Sequence, residues 1–180
     1  SGKAPLVSAV LRSLLGAEPA RLPYTLADMA GDAAGLLDAL GLRSAHVVGV
    51  SMGGMIGQVL CALHPDRVRS FTSIMSSSGD PRLPGPRWDV RLRMMRTAPQ
   101  DDPAARVRRL AGMLQRISSP GYPRSAAELH AQASREVHRS DHPQGLLRQL
   151  GAVIGSPSRL QLLSRIKAFL TRTVDRYRPP

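Results

Sequence analysis

Apolar residues recur at helical spacing near both ends of this chain, and a β-branched block lies between them. Leu6, Val7, Val10, Leu11, Leu14 and Leu15 predict an amphipathic first helix that stops at Gly16. Ala17 to Pro23 reads as a connector. Thr25-Leu26-Ala27-Asp28 is a capping box, in which Thr25 accepts from the free backbone amides of a new helix and Asp28 reaches back toward it. Leu26, Met29, Ala33, Leu36, Leu37 and Leu40 would form the apolar stripe of that helix, with Gly41 as its stop. From Ala45 to Val50 the pattern changes to a short β-branched run, read as a strand. It passes without a spacer into a helix-compatible stretch, Met52 to Leu63. Gly54 and Gly57 each cost that helix about 1 kcal/mol relative to alanine, which makes sense if it lies tight against a sheet. Val68 to Met75 reads as a second strand. A helix between two such strands implies a parallel pair with a right-handed crossover.

Beyond the Ser, Gly and Pro of 76–86 the pattern is helical. Trp88 to Arg96 is a short candidate, and Asp102-Pro103 opens a helix through Val107, Leu110, Leu114 and Ile117. Ser125-Ala126-Ala127-Glu128 is a second capping box, leading to about Arg139. Pro143 opens a helix through Leu146, Leu147, Leu150 and Ile154, and Ser156-Pro157 a last one through Leu160, Leu163 and Ile166. The fold class expected is α/β: part of a parallel sheet over residues 1–83, a helical cap over 84–164, and an atypical basic tail over 165–180.

Composition changes this picture little. The 180 residues suffice for one sizeable core, with 42% of them apolar. The balance of 25 Lys+Arg against 13 Asp+Glu invites an anionic partner. Aromatic residues that would stack on bases are only 3%, and the arginines are scattered over several segments, which argues against nucleic acid. A single cysteine, Cys61, excludes an internal disulfide and a cysteine-rich metal site; it reads as a buried small hydrophobe. With no apolar run of membrane-spanning length and no clear leader sequence, the expectation is a soluble cytoplasmic protein without membrane contact.

The chemistry is concentrated at Gly49-Val50-Ser51-Met52-Gly53, a G-x-S-x-G sequence between strand and helix, the context of a nucleophile elbow. A serine on so tight a turn brings its neighbours two before and two after into contact, and glycine at 49 and 53 removes the clash. Tyr24-Thr25-Leu26-Ala27-Asp28-Met29-Ala30, the elbow from His46 to Met55, His64-Pro65-Asp66-Arg67-Val68 and Thr72-Ser73-Ile74-Met75-Ser76 resemble the α/β-hydrolase superfamily. More narrowly they resemble its capped bacterial serine esterases of the aclacinomycin-methylesterase type. The similarity runs from about Leu22 to about Lys167 and includes Ser119-Pro120-Gly121-Tyr122-Pro123. The resemblance implies that Ser51 is the nucleophile and the backbone amide of Met52 one of two oxyanion donors. Loss of such a donor costs roughly 3 to 4 kcal/mol. It also implies a small-molecule ester as substrate and acyl transfer without cofactor or metal.

The chain departs from the family at both ends. In the family a His-Gly loop with the second oxyanion donor precedes the elbow, and the catalytic acid and histidine follow the cap; neither is found here. After Ala168 the tail Phe169 to Pro180 looks unlike the next family strand, as though the family sequence were cut at both ends. His46 and His64 lie too far along their elements to reach Ser51. His130, His138 and His142 read as solvated surface residues, so the triad acid and base are not identified. The first expectation is therefore a serine ester hydrolase of little turnover. The alternatives are a non-catalytic fragment that needs a homo-oligomeric or complementing partner to cover its sheet, and an arginine-rich module binding nucleic acid through Arg91, Arg93, Arg96, Arg106, Arg108, Arg109, Arg172, Arg176 and Arg178.

Overall fold

A computed structural model describes residues 24–85, 89–90, 102–139, 143–166 and 169–173. The amphipathic stretch at 6–15, most of the candidate helix at 88–96, and His142 lie outside them. The described chain falls into two compact units. One holds residues up to Pro84 together with the return from Leu147, and the other the residues between them.

Among the described residues the first unit opens with helix α1 (Leu26–Ala39), capped as its sequence dictates: Thr25 Oγ1 accepts from the Asp28 amide, and the Asp28 carboxylate accepts from the Thr25 amide at 2.8 Å. Its last turn ends at Gly41 with φ +66. The buried face is Leu26, Met29, Ala30 and Ala34, whereas Leu36 and Leu40 are 59% and 61% exposed. The apolar stripe expected along the whole helix therefore turns off the core after Ala34. Helix α1 packs on α2 (Met52–Leu63), which joins strands β1 (Ala45–Val50) and β2 (Val68–Ile74). The strands are parallel, with Val48 opposite Thr72 and Val50 opposite Ile74. Arg67, in the turn before β2, fastens the corner: its guanidinium donates to Leu42 O and Arg43 O and pairs with Asp38 at 2.6 Å.

Gly57 and Gly54 let α2 approach the sheet. A Cβ on Gly57 would stand 2.3 Å from the Phe71 ring, and one on Gly54 2.6 Å from Ser76 Cβ. Phe71 is fully buried at the centre of a core formed with Val59, Leu60, Cys61, Val68 and the α1 face. Burial pushes the Cys61 thiol up to about 11, so it behaves as the inert hydrophobe expected of it.

Two expectations are corrected in the returning chain. Helix α5 (Pro143–Ile154) sends Ala152 and Val153 into the first unit's core, where Leu162 and Ile166 also pack. The last helix, α6, is limited to Leu160–Leu163. The Ser156 hydroxyl donates back to Ala152 O, and the Arg159 amide donates to Ser78 O, so the amide just before Leu160 is committed outside the helix. Residues 169–173, expected to belong to an atypical basic tail unlike the next family strand, form a third parallel strand, β3 (Phe169–Thr173), beside β2. The sheet order is β1-β2-β3.

The second unit is built on α3 (Pro103–Ile117) and α4 (Ala126–Arg139), which pack together and bury Val107, Leu129 and Ala133. Their starts follow the sequence: Asp102 accepts from the Ala105 amide, and Ser125 and Glu128 form a reciprocal capping box.

Candidate active site

Ser51 occupies the single residue between β1 and α2. Its φ of 54° and ψ of −118° place a side-chain-bearing residue in backbone space that costs on the order of 1–3 kcal/mol. The turn is pinned from both sides. The Ser51 amide donates to Ile74 O of the neighbouring strand at 2.9 Å, and Ser51 O accepts from the Gly54 and Met55 amides at 3.0 and 3.3 Å. A serine at a helix N-cap ordinarily accepts from the first-turn amides, but here the side chain makes no capping bond. The positive φ carries it away from the helix axis. Ser51 is exposed and Met52 half-buried. The first amides of α2, Met52 among them, have no acceptor within the helix and stand at its positive end.

The two glycines predicted to relieve one clash do different things. A Cβ on Gly49 would lie 2.3 Å from Gly53 O and 2.7 Å from the Gly54 amide nitrogen, so no side chain fits there. One on Gly53 would meet nothing within 4 Å. The crowding is one-sided because the helix backbone lies over the Gly49 Cα, while the Gly53 Cα faces open space.

Neither histidine of the first unit is placed with Ser51. His46 hydrogen-bonds across the sheet, Nδ1 to Ser70 Oγ at 2.7 Å, about 16 Å of strand before Ser51. His64 is the C-cap of α2, at its far end. His130 and His138 lie on α4 of the second unit, where the His138 ring bonds Ser134 O. Among the described residues no three His, Cys, Asp or Glu side chains gather as a metal site, and no helix is long and apolar enough to cross a membrane. Of the arginines considered as phosphate contacts, only Arg106, Arg108 and Arg109 have described side chains, all on α3.

Sequence reasoning missed a polar network behind the turn. Gln58 and Arg159 are 6% and 5% exposed. Arg159 Nε donates to Gln58 Oε1 at 3.0 Å, its Nη2 to Ser77 O at 3.0 Å, and Gln58 Nε2 to the same carbonyl at 3.2 Å. Burial lowers the pKa of Arg159. The one sequence signal was an amide side chain within the otherwise apolar Met55-Ile56-Gly57-Gln58-Val59-Leu60, since a glutamine on a buried face needs a partner.

Residues 16–155 match the profile of the alpha/beta hydrolase fold family. The chain belongs to that family. A putative carbamate hydrolase, RutD, of Caulobacter segnis is 30% identical over 154 residues, covering 85% of this chain and 49% of the relative. The rhodomycin D methylesterase DauP of Streptomyces sp. is 41% identical over 58 residues, 32% of this chain and 20% of the relative. Among solved structures, a probable hydrolytic enzyme of Pseudomonas aeruginosa superposes with a TM-score of 0.57 at 18% identity, over 87% of this chain and 50% of that one. A carboxylesterase structure from Nitrososphaera gargenis gives 0.55 at 22% identity, over 83% and 53%. These likenesses agree on the fold, an α/β-hydrolase parallel sheet containing the elbow strand and its successors. The chain spans about half the length of the first of these curated relatives.

Proposed function

We propose that the chain carries the nucleophile of a serine hydrolase acting on carboxylic esters of small molecules, with Ser51 acylated by the substrate. The observation that carries this reading is the conformation of Ser51: a strained backbone, held by the Ile74 carbonyl, that leaves the hydroxyl out of the helix cap. In the reaction Ser51 Oγ attacks the ester carbonyl and loses its proton to a base. The tetrahedral oxyanion is stabilised by backbone amides, that of Met52 first, and the alcohol leaves with a proton. Water then hydrolyses the acyl-serine, releasing the acid and restoring Ser51. Gly49 gives the elbow its clearance, and the α3–α4 unit is the family's helical cap. The relatives named as a methylesterase and a putative carbamate hydrolase would both act on a carbonyl bearing a heteroatom leaving group, which supports this reaction class.

Because the base and acid are not assigned, covalent labelling of Ser51 tests the reading more directly than turnover. Fluorophosphonate treatment followed by intact mass and peptide mapping should label Ser51 once per chain. Ser51→Ala should abolish the adduct, with hydrolysis of p-nitrophenyl butyrate slow in the parent chain. A folded protein that takes no label would overturn the assignment.

A second reading is favoured by the uncovered face of β1, where Val48 and Val50 are 66% and 52% exposed. In it the chain functions with a second copy or a complementing chain across that face.

A further inference from the structure

We infer that Arg159 is a positioning residue for the Ser51 turn, clamping α2 to the segment that follows β2. Ser51, Gly54 and Gln58 are spaced three and four apart, so they share one face of α2. That face meets residues 74–77 in three successive rows. In the first, the Ser51 amide donates to Ile74 O at 2.9 Å. In the second, Gly54 lies against Ser76, close enough that a Cβ would come within 2.6 Å of the Ser76 Cβ. The third is the polar lock, in which Gln58 and Arg159 both donate to Ser77 O and Arg159 also donates to Gln58. The first row is one backbone bond and the second is van der Waals contact. Only the third joins both segments through directional bonds to a third piece of chain.

Arg159 is itself held at two further points. Its amide donates to Ser78 O at 2.8 Å, and its guanidinium packs over Gly79, whose φ is +76. A Cβ on Gly79 would stand 3.2 Å from Nη2. Among the described residues no carboxylate pairs with Arg159, so a cation is buried on neutral acceptors alone. Such an arrangement is a poor source of net stability and a good source of fixed geometry: the planar fork must meet two acceptors on two different segments at once. If the fork is lost, Ser77 and Gln58 are free to separate, and the rows above them, up to the Ile74 carbonyl that pins Ser51, lose their backing.

The geometric part of this inference stands on the contacts alone, and its catalytic part rests on the proposed role of Ser51. Two variants separate them. Arg159→Lys keeps the charge but replaces the planar fork, which donates from Nε and Nη2 separately, by a single ammonium nitrogen, and Arg159→Met removes every side-chain donor. Hydrogen–deuterium exchange is read in peptides covering 49–55 and 74–80, with 26–39 in α1 as the internal reference. The rate at which the fluorophosphonate phosphonylates Ser51, with loss of fluoride, is measured on the same samples. Both variants should raise exchange in the first two peptides by about tenfold while 26–39 keeps its protection. Phosphonylation of Ser51 should slow by about tenfold or more, less in Arg159→Lys than in Arg159→Met. Unchanged exchange at 49–55, or an equal rise in 26–39, would overturn the clamp, the latter because it marks general loosening. If the parent chain takes no label, the reading of Ser51 fails and exchange alone decides the clamp. If Arg159→Met does not fold, Arg159→Lys carries the test.

Discussion

Ser51 sits where backbone strain and proposed chemistry oppose each other. Its φ of 54° suits glycine better than serine. Ser51→Gly is therefore expected to be more stable than Ser51→Ala by about 1 kcal/mol in urea denaturation, since alanine keeps the Cβ and its strain. Both lose the hydroxyl, so both should lose the fluorophosphonate adduct. The flanking glycines give a sharper contrast. Gly49→Ala forces a methyl into the Gly53 carbonyl and should destabilise by about 2–3 kcal/mol. Gly53→Ala enters open space inside a helix and should be neutral or stabilising by up to about 1 kcal/mol. Equal losses at the two positions would contradict the one-sided packing of the turn.

Among the elements, α1 and α2 owe their placement to different physics. Helix α1 is started by its cap, and Thr25→Ala should cost about 1 kcal/mol in thermal or chemical unfolding. Its partner Asp28 is titratable: hydrogen bonds from Thr25 hold the carboxyl below its ordinary 3.8. A carboxylate depressed in the folded state contributes stability that is complete above the unfolded pKa and fades as pH falls through the lower folded value. The difference in stability between the parent chain and Asp28→Asn should thus be full near neutrality and shrink below about pH 4, as pH-dependent melting would show. Helix α2 is placed by contact instead. Gly57→Ala drives a methyl into the Phe71 ring and should destabilise by about 1–3 kcal/mol. Adding Phe71→Leu should recover part of that loss, because the two changes share one space.

For the molecule as a whole, the uncovered face of the sheet is the feature with consequences. His46, Val48 and Val50 project from β1 on the side away from α2, and among the described residues β1 is an edge strand in the order β1-β2-β3. An apolar sheet face beside an open edge favours association. Under the second reading, light scattering should show a mass that rises with concentration, and Val48→Lys should lower it without loss of the cooperative melt. A parent chain that stays monomeric across the range would remove that reading.

The sequence by itself determined the elements whose causes are local. Both capping boxes, the proline-started helix at 103, the strand at 45–50 and its immediate passage into a helix were legible because each rests on residues within a turn or two. The tight turn at Ser51 was legible for the same reason, down to the need for glycine at 49. The tertiary structure decided what depends on distant partners. Phe169-Leu170-Thr171-Arg172-Thr173 shows no strong strand pattern and becomes β3 by bonding to β2, about a hundred residues away in sequence. Leu36 and Leu40 carry the right period but face outward, since a helix's own spacing does not say how far its neighbour extends. Gln58 and Arg159 stand 101 positions apart, and only folding shows that each satisfies the other. Local spacing writes the turn that holds Ser51; burial and hydrogen bonding across the chain decide what holds the turn.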